Sequence, residues 1–251
     1  MGILWQHDSD GTSYSVRSSG ASIRLYTNRV FHSQWNPTRP FAGGIWDCLS
    51  LPALYRHTDR PKRILLLGVG GGAVILQLQE LIAIEHLYAV EIDEQHLDIA
   101  ERWFGVSRDS VSMIHADAVS WVHACDERPF DLIIDDLFGH SEGEPERACE
   151  LNHHWLQTLY SHLAPKGLLI ANCVNARELQ SAVRSCYRTG FRFGHRWSLP
   201  AYENSIAVLS HEALLSRVWS GNLQESCLSA PMQRQARTIR RRPVRGLKSD
   251  Q

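Results

Sequence analysis

At 251 residues, 43% hydrophobic and 21% charged, the chain has the composition of an ordinary soluble globular protein. It is long enough for one large α/β domain or two small ones with a sizeable core. Its net charge of −1 conceals an asymmetry: residues 234–251 hold seven Lys/Arg and one acid, and the remainder carries −7. An acidic body argues against a dedicated nucleic-acid binder, although the tail alone could touch phosphates. Polar residues interrupt "MGILWQHDSDGTSYSV" too early for a signal peptide, no apolar run approaches bilayer length, and the six cysteines form no C-x-x-C pair. These features predict reduced thiols in a cytoplasmic, membrane-free protein.

From Thr12 to Ser33 polar and apolar residues alternate around Gly20 and Asn28, which predicts short antiparallel strands in an N-terminal β extension over residues 1–40. After Pro37 and Pro40, "AGGIWDCLSLPALYR" reads as a helix broken near Pro52. A regular alternation then begins. "RILLLG" reads as a buried strand, "GAVILQLQEL" as a helix, "HLYAVEID" as a strand and "EQHLDIAERWF" as a helix with Leu97, Ala100 and Phe104 on one face. "VSMIHAD", "FDLIIDD" and "GLLIANCV" read as further strands, separated by the helices "AVSWVHAC" and "ACELNHHWLQTLYSHL". The helix "ARELQSAVRSCYRTG" follows. "FRFGHRW" and "NSIAVLS" come next with no helix between them, so they can pair only as antiparallel neighbours. The pattern predicts an α/β, Rossmann-like domain over residues 41–230: a mostly parallel sheet, covered on both faces, with an antiparallel last strand. The Arg-rich segment 231–251 lacks apolar periodicity and reads as a solvated or disordered tail.

In open parallel sheets a ligand sits beyond the carboxyl ends of the strands. Four successive strand ends carry suitable groups here. The first is the turn "GVGGG", with Gly68, Gly70, Gly71 and Gly72, whose backbone can line a nucleoside at a helix N-terminus. The second is Glu91, 23 residues beyond Gly68, a carboxylate able to accept both ribose hydroxyls. The third is Asp117, able to accept from an adenine amine, and the fourth is the pair Asp135 and Asp136, of which one must face away because strand side chains alternate. Each acid alone could simply cap a helix; the set points to a nucleoside-type cofactor. Gly68-x-Gly70-x-x-Ala73 also satisfies the dinucleotide fingerprint, which keeps NAD as an alternative. Acids after the third and fourth strands suit S-adenosylmethionine (SAM) or its decarboxylated form better. His153 and His154 are adjacent on a helix and point apart, and no histidine has metal-ligand spacing, so no metal is expected. Trp35 and Trp46 are candidates for an acceptor pocket.

Taken together, "RILLLGVGGGAVILQL", "HLYAVEIDEQHLDIAERWFGV", "SVSMIHADAVSWV" and "FDLIIDDLFG" resemble the spermidine synthase-like branch, the polyamine aminopropyltransferases, of the class I SAM-dependent methyltransferase superfamily. The resemblance runs from about Ile23 to Ser210. It implies that Gly68, Gly70, Gly71 and Gly72 line the nucleoside site, that Glu91 holds the ribose, and that Asp117 with Ala118 holds the adenine. It places His32 where the family has a cofactor-contacting glutamine. It places Asp136 on the first Asp of the family's D-x-x-D, the residue that acts on the attacking amine. The implied reaction is transfer of an aminopropyl or related alkyl group from SAM or decarboxylated SAM to a small amine or other nucleophile. Alternatives are methyl transfer and a non-catalytic nucleoside-binding homologue. A homodimer joined through the N-terminal β extension is one implied arrangement.

Departures from the family pattern concern the amine pocket. The second Asp of D-x-x-D falls on Gly139, the Tyr-His-Glu segment on Ile45-Trp46-Asp47, and the acid of the glycine turn on Gly71. Putrescine as acceptor is therefore doubtful, although Asp135, Asp47, Glu142 and Glu144 could partly substitute. The glycine at 71 would leave room and backbone N–H for the carboxylate of ordinary SAM, which a facing aspartate would repel.

Overall fold

The computed structural model describes residues 2–248 except 57–59, 61, 142–143 and 187. Four strands, β1 (Gly2–Ser9), β2 (Thr12–Ser19), β3 (Ser22–Thr27) and β4 (Val30–Trp35), form an antiparallel N-terminal sheet in that order. Two-residue turns join them. Asp10-Gly11 and Asn28-Arg29 have positive φ at both positions, the backbone that matches the twist of a tight hairpin. Tyr14, Val16, Leu25 and Trp35 of this sheet pack on Ile99 and Phe104 of the main domain.

The main domain continues with α1 (Ile45–Ser50), a 3₁₀ turn (Leu51–Tyr55), β5 (Lys62–Leu67), α2 (Ala73–Leu81), β6 (Ile84–Glu91) and α3 (Glu94–Ile99), which ends in a π-helical turn (Ala100–Phe104). Next come β7 (Ser112–His115), α4 (Ala118–Ala124), β8 (Phe130–Asp135), the hairpin β9 (Phe138–Ser141) and β10 (Glu144–Arg147), α5 (His153–Ser161), β11 (Leu163–Cys173) and α6 (Ala176–Cys186). The last elements are β12 (Phe193–Ser198), β13 (Ser205–Ser210), α7 (Ser216–Glu225), α8 (Ala230–Arg237) and β14 (Arg240–Pro243). Eight strands form one sheet in the order β14-β12-β13-β11-β8-β5-β6-β7. Pairings among β11, β8, β5, β6 and β7 are parallel, and β13 runs antiparallel to β11 and β12. The expected α/β architecture, with its antiparallel strand and N-terminal β extension, is therefore present.

Alternate residues of β5 feed two cores. Ile64 and Leu66 join the layer of α1, α2 and α7, whereas Leu65 and Leu67 join that of α4, α5 and α6. A strand buried on both faces must be apolar throughout, as "ILLL" is. Chain connection reverses at β5, which has β6 on one side and β8 on the other. The crevice beyond β5 and β8 is thus the topological switch point. No helix among the described residues is long and apolar enough to cross a membrane.

The basic tail differs from its expectation. Residues 230–237 are helical and 240–243 pair antiparallel with β12. The Arg241 guanidinium carbon lies 3.7 Å from the centre of the Trp219 ring, a cation–π contact, while Ala236, Ile239 and Val244 are buried. The anchors are few and irregularly spaced, so apolar periodicity could not reveal them.

Candidate active site

The turn after β5 turns two of its glycines toward a cavity and two toward packed side chains. Gly68 (φ +85°) faces the continuation of β8, and a Cβ there would collide with the Asp136 carbonyl. A Cβ on Gly70 would lie 3.3 Å from the His32 carbonyl oxygen. Gly71 and Gly72 are directed elsewhere: a Cβ at Gly71 would meet the Phe104 ring at 2.5 Å, and one at Gly72 would meet Val106 at 2.6 Å. Gly68 and Gly70 line the cavity; Gly71 and Gly72 are not among its lining residues. The bare Cα at 71 therefore makes room for Phe104, beneath the N-terminal sheet, and not for a ligand. Gly71→Ala is expected to cost about 1–3 kcal/mol by overpacking, read as a lower melting temperature.

Glu91, at the end of β6, is buried and holds this turn. Its Oε2 accepts from the backbone N–H of Val69 at 2.8 Å and of Gly70 at 3.1 Å, and its Oε1 accepts from that of Asp93 at 3.1 Å. The buried His96 ring on α3 has Nδ1 3.7 Å from the same Oε2, and its Nε2 lies 2.8 Å from the Thr27 hydroxyl of β3. Burial opposes ionisation of Glu91, but His96 and the backbone N–H groups outweigh it and hold its pKa at about 2. Burial likewise opposes the imidazolium, yet Glu91 and Asp93 keep the His96 pKa above its ordinary value. Tyr14 of β2 donates to Asp93 at 2.8 Å. The N-terminal sheet is thereby tied to the turn by polar contacts as well as by packing. Three backbone donors occupy most of the carboxylate's roughly four acceptor positions, so Glu91 shapes the turn and has limited capacity left for a ligand.

Asp117 is the N-cap of α4, its Oδ1 accepting from Ser120 N–H at 2.8 Å. The Ser120 hydroxyl and, after it, this N–H lower its pKa, and the exposed carboxylate also borders the cavity beside Ala118. The capping and the ligand-facing roles proposed for it are compatible. Ile92, 66% exposed between Glu91 and Asp93, lines the same region. A large apolar side chain left uncovered there fits the flat face of a base.

The two acids after β8 separate as strand alternation requires. Asp135 is fully buried and faces away, bound at 2.9 Å through both oxygens by Arg147 and at 2.9 Å by the Trp155 indole N–H. Removing the cation would leave an unpaired buried carboxylate, so Arg147→Met is expected to cost about 3 kcal/mol, measurable by urea denaturation. Asp136 faces the cavity. Asn204 donates to the Asn172 side-chain oxygen at 3.0 Å, and Asn172 in turn donates to Asp136 Oδ1 at 2.8 Å. Oδ2 has no protein donor among the described residues. Burial in the protein wall is the main cause that lifts the Asp136 pKa to about 6, with Asp135 adding to it and Asn172 opposing it.

The cavity has a volume of about 470 Å³ and lies along the carboxyl edge of the sheet. His32, Gly68, Gly70, Glu91, Asp117, Ala118 and Asp136 all line it. The His32 and His96 rings stand 5.2 Å apart. Of the two candidate tryptophans, Trp46 lines the cavity, whereas Trp35 is buried under the N-terminal sheet. Two of the possible substitutes for missing pocket acids do not reach it: Asp135 is paired with Arg147, and Asp47 is buried on Gly43 N–H and the Gln77 amide. Glu142 lies outside the described residues, as does the side chain of Glu144. His96, Asn172, Tyr202 and Asn204 were not singled out from the sequence. Asn172 carried a signal, the single amide in the apolar run "LLIANCV". His96 carried a fainter one, three residues beyond a helix-capping Asp. Among the described residues no group of His, Cys, Asp and Glu is placed to hold a metal ion.

A mostly parallel sheet with its cavity at the switch point, acids at successive strand ends and a closing antiparallel strand matches the class I methyltransferase fold. The chain belongs to the spermine/spermidine synthase domain family, whose match covers residues 50–204. A polyamine aminopropyltransferase from Vibrio vulnificus is 28% identical over 177 residues, 69% of this chain and 58% of that protein. The bovine eEF1A lysine and N-terminal methyltransferase is 32% identical over 127 residues, 46% of this chain and 18% of that protein. The chain thus spans little more than half of the first relative and under a fifth of the second. The structure of a probable spermidine synthase from Corynebacterium glutamicum superposes with a TM-score of 0.73 at 17% identity, covering 100% of this chain and 99% of the other.

Proposed function

We propose that this protein is a transferase that moves an alkyl group from a SAM-type sulfonium nucleoside, SAM or decarboxylated SAM, to a small amine or other small nucleophile. One observation carries the reading: Glu91, Asp117 and Asp136, from three different strand ends, border one cavity with Gly68 and Gly70. In this reading Gly68, Gly70 and His32 flank the nucleoside, Glu91 meets the ribose, and Asp117 and Ala118 meet the adenine beside Ile92. A bound sulfonium nucleoside supplies an electrophilic carbon and a neutral thioether leaving group. Asp136 orients the attacking nitrogen and accepts a hydrogen bond from it through Oδ2, while the Asn204–Asn172 chain fixes its carboxylate. An aspartate with a pKa near 6 is ionised at neutral pH and is a stronger base than a surface aspartate.

Relatives named as an aminopropyltransferase and as a methyltransferase support two forms of the transfer. Mass spectrometry of the nucleoside product separates them: alkyl transfer from the longer arm releases methylthioadenosine, and methyl transfer releases S-adenosylhomocysteine. Incubation with each donor and an amine mixture should yield one of the two. Binding without either product would favour a non-catalytic homologue.

A further inference from the structure

We infer that the acceptor is a monoamine with an apolar or aromatic body, its one ammonium meeting Asp136 and its body lying against Phe31, Trp46 and Tyr202. This rests on the transfer reading above and specifies its second substrate. Among the described residues the cavity is lined by three carboxylates, Glu91, Asp117 and Asp136. Glu91 is engaged by the glycine turn, and Asp117 caps α4 beyond β7 on the far side of β5 and β6. Only Asp136 stands toward β11 and β13, where Asn172, Tyr202 and Asn204 continue the wall. Among the described residues the remaining surface there is apolar and largely aromatic. Phe31 of β4 meets Trp46 of α1 edge to face, with ring centres 5.2 Å apart, and Tyr202 lies in the β12–β13 connection.

A diamine needs a second acceptor of charge several carbons from the first. Among the described residues of this wall its distal ammonium would find rings and amides. Cation–π attraction is weaker than pairing with a carboxylate, and falls short of the cost of desolvating a primary ammonium that lacks an anionic partner. An apolar body has the opposite preference, since burying it against Phe31 and Trp46 removes apolar surface from water on both sides. In the transfer, the amine nitrogen forms a C–N bond to the carbon beside the sulfonium as the C–S bond breaks. The electron pair of that bond stays on sulfur as a thioether, and the nitrogen loses one proton to solvent by way of Asp136.

The test is titration calorimetry of 2-phenylethylamine, hexylamine and 1,4-diaminobutane into protein saturated with methylthioadenosine, repeated with Trp46→Leu after its melting temperature has been checked. The expected result is at least tenfold tighter binding of the monoamines than of the diamine. The variant should lose at least tenfold toward 2-phenylethylamine and change little toward the diamine. Equal or tighter binding of the diamine overturns the inference, as does a folded Trp46→Leu protein with unchanged monoamine affinity. Either result leaves the transfer reading standing if methylthioadenosine binds. Failure of the nucleoside itself to bind removes that reading and the inference with it.

Discussion

Asp136→Asn is expected to reduce turnover at least 100-fold while leaving the protein as stable as the parent or more so. The loss follows from the chemistry: an amide can neither accept the nitrogen's proton nor balance its positive charge, and a positioned general base contributes roughly 10²–10⁴ in rate. The stability gain follows from the same burial. Asp136 has its pKa raised from 3.8 to about 6, so at neutral pH the folded state carries a carboxylate that it holds less comfortably than the unfolded chain does. With allowance for water in the cavity, ionisation there costs on the order of 2 kcal/mol. The sign fixes the pH window. The penalty is fully present above about pH 6 and fades as pH falls from 6 toward 4, where the parent's carboxyl is protonated in the folded state as well. The variant should therefore melt several degrees above the parent at pH 7.5 and close to it near pH 4. The parent's rate should fall as pH drops through about 6 for the same reason. A variant that melts well below the parent at pH 7.5 would mean that Asp136 is a structural hydrogen-bond partner and not a strained base.

How much of this was legible in the residues differs between sheet and site. β5, β6 and β8 stood out because a strand covered on both faces must be continuously apolar, and the turn, cap and strand-end acids between them obey local rules. The separation of Asp135 from Asp136 was readable as a necessity of alternation, and the family resemblance pointed to Asp136, but the physical reason that Asp135 faces away was not readable. That depended on Arg147, a residue of the β9–β10 hairpin that no local pattern ties to β8. Gly71 shows the opposite failure. Its place in the motif suggested a role toward the ligand, yet its direction is set by Phe104, 33 positions on in the chain, which enters the space that a Cβ would fill. The tail was misread because Trp219 and Arg241 are brought together by the tertiary fold alone. His96 escaped notice because its importance lies in burial between Glu91 and Thr27, and burial of a single polar residue leaves little trace in composition.

Glu91→Ala is expected to weaken both fold and binding, at a cost of about 4 kcal/mol in stability and with loss of detectable nucleoside affinity. The substitution removes the acceptor for the backbone N–H groups of Val69 and Gly70 in the glycine turn and of Asp93, and strips His96 of one of its two carboxylate neighbours. Each buried donor left unpaired costs roughly 1–3 kcal/mol, moderated here by cavity water. For a domain of this size the sum corresponds to a fall of about 8–16 °C in melting temperature. The pH dependence has the opposite sign to that of Asp136. With its pKa depressed from 4.5 to about 2, Glu91 contributes stability that is complete above about pH 4.5 and is lost as pH falls toward 2. The parent should therefore converge on Glu91→Ala in acid, whereas it converges on Asp136→Asn by gaining stability as its own penalty fades. His96 supplies a readout confined to the network. Once Glu91 is gone, burial still opposes the imidazolium and only Asp93 supports it, so the His96 pKa should drop. That drop is visible as a displaced midpoint in an NMR titration of the ring protons. Glu91→Gln refines the test, because its amide oxygen can still accept from Val69 or Gly70 while its charge is absent. Recovery of much of the stability with the His96 midpoint still low would separate the hydrogen bonds that hold the turn from the charge that holds the histidine. An unchanged midpoint in both variants would show that Glu91 does not set the state of His96, and that the carboxylate's part is confined to the backbone of the turn.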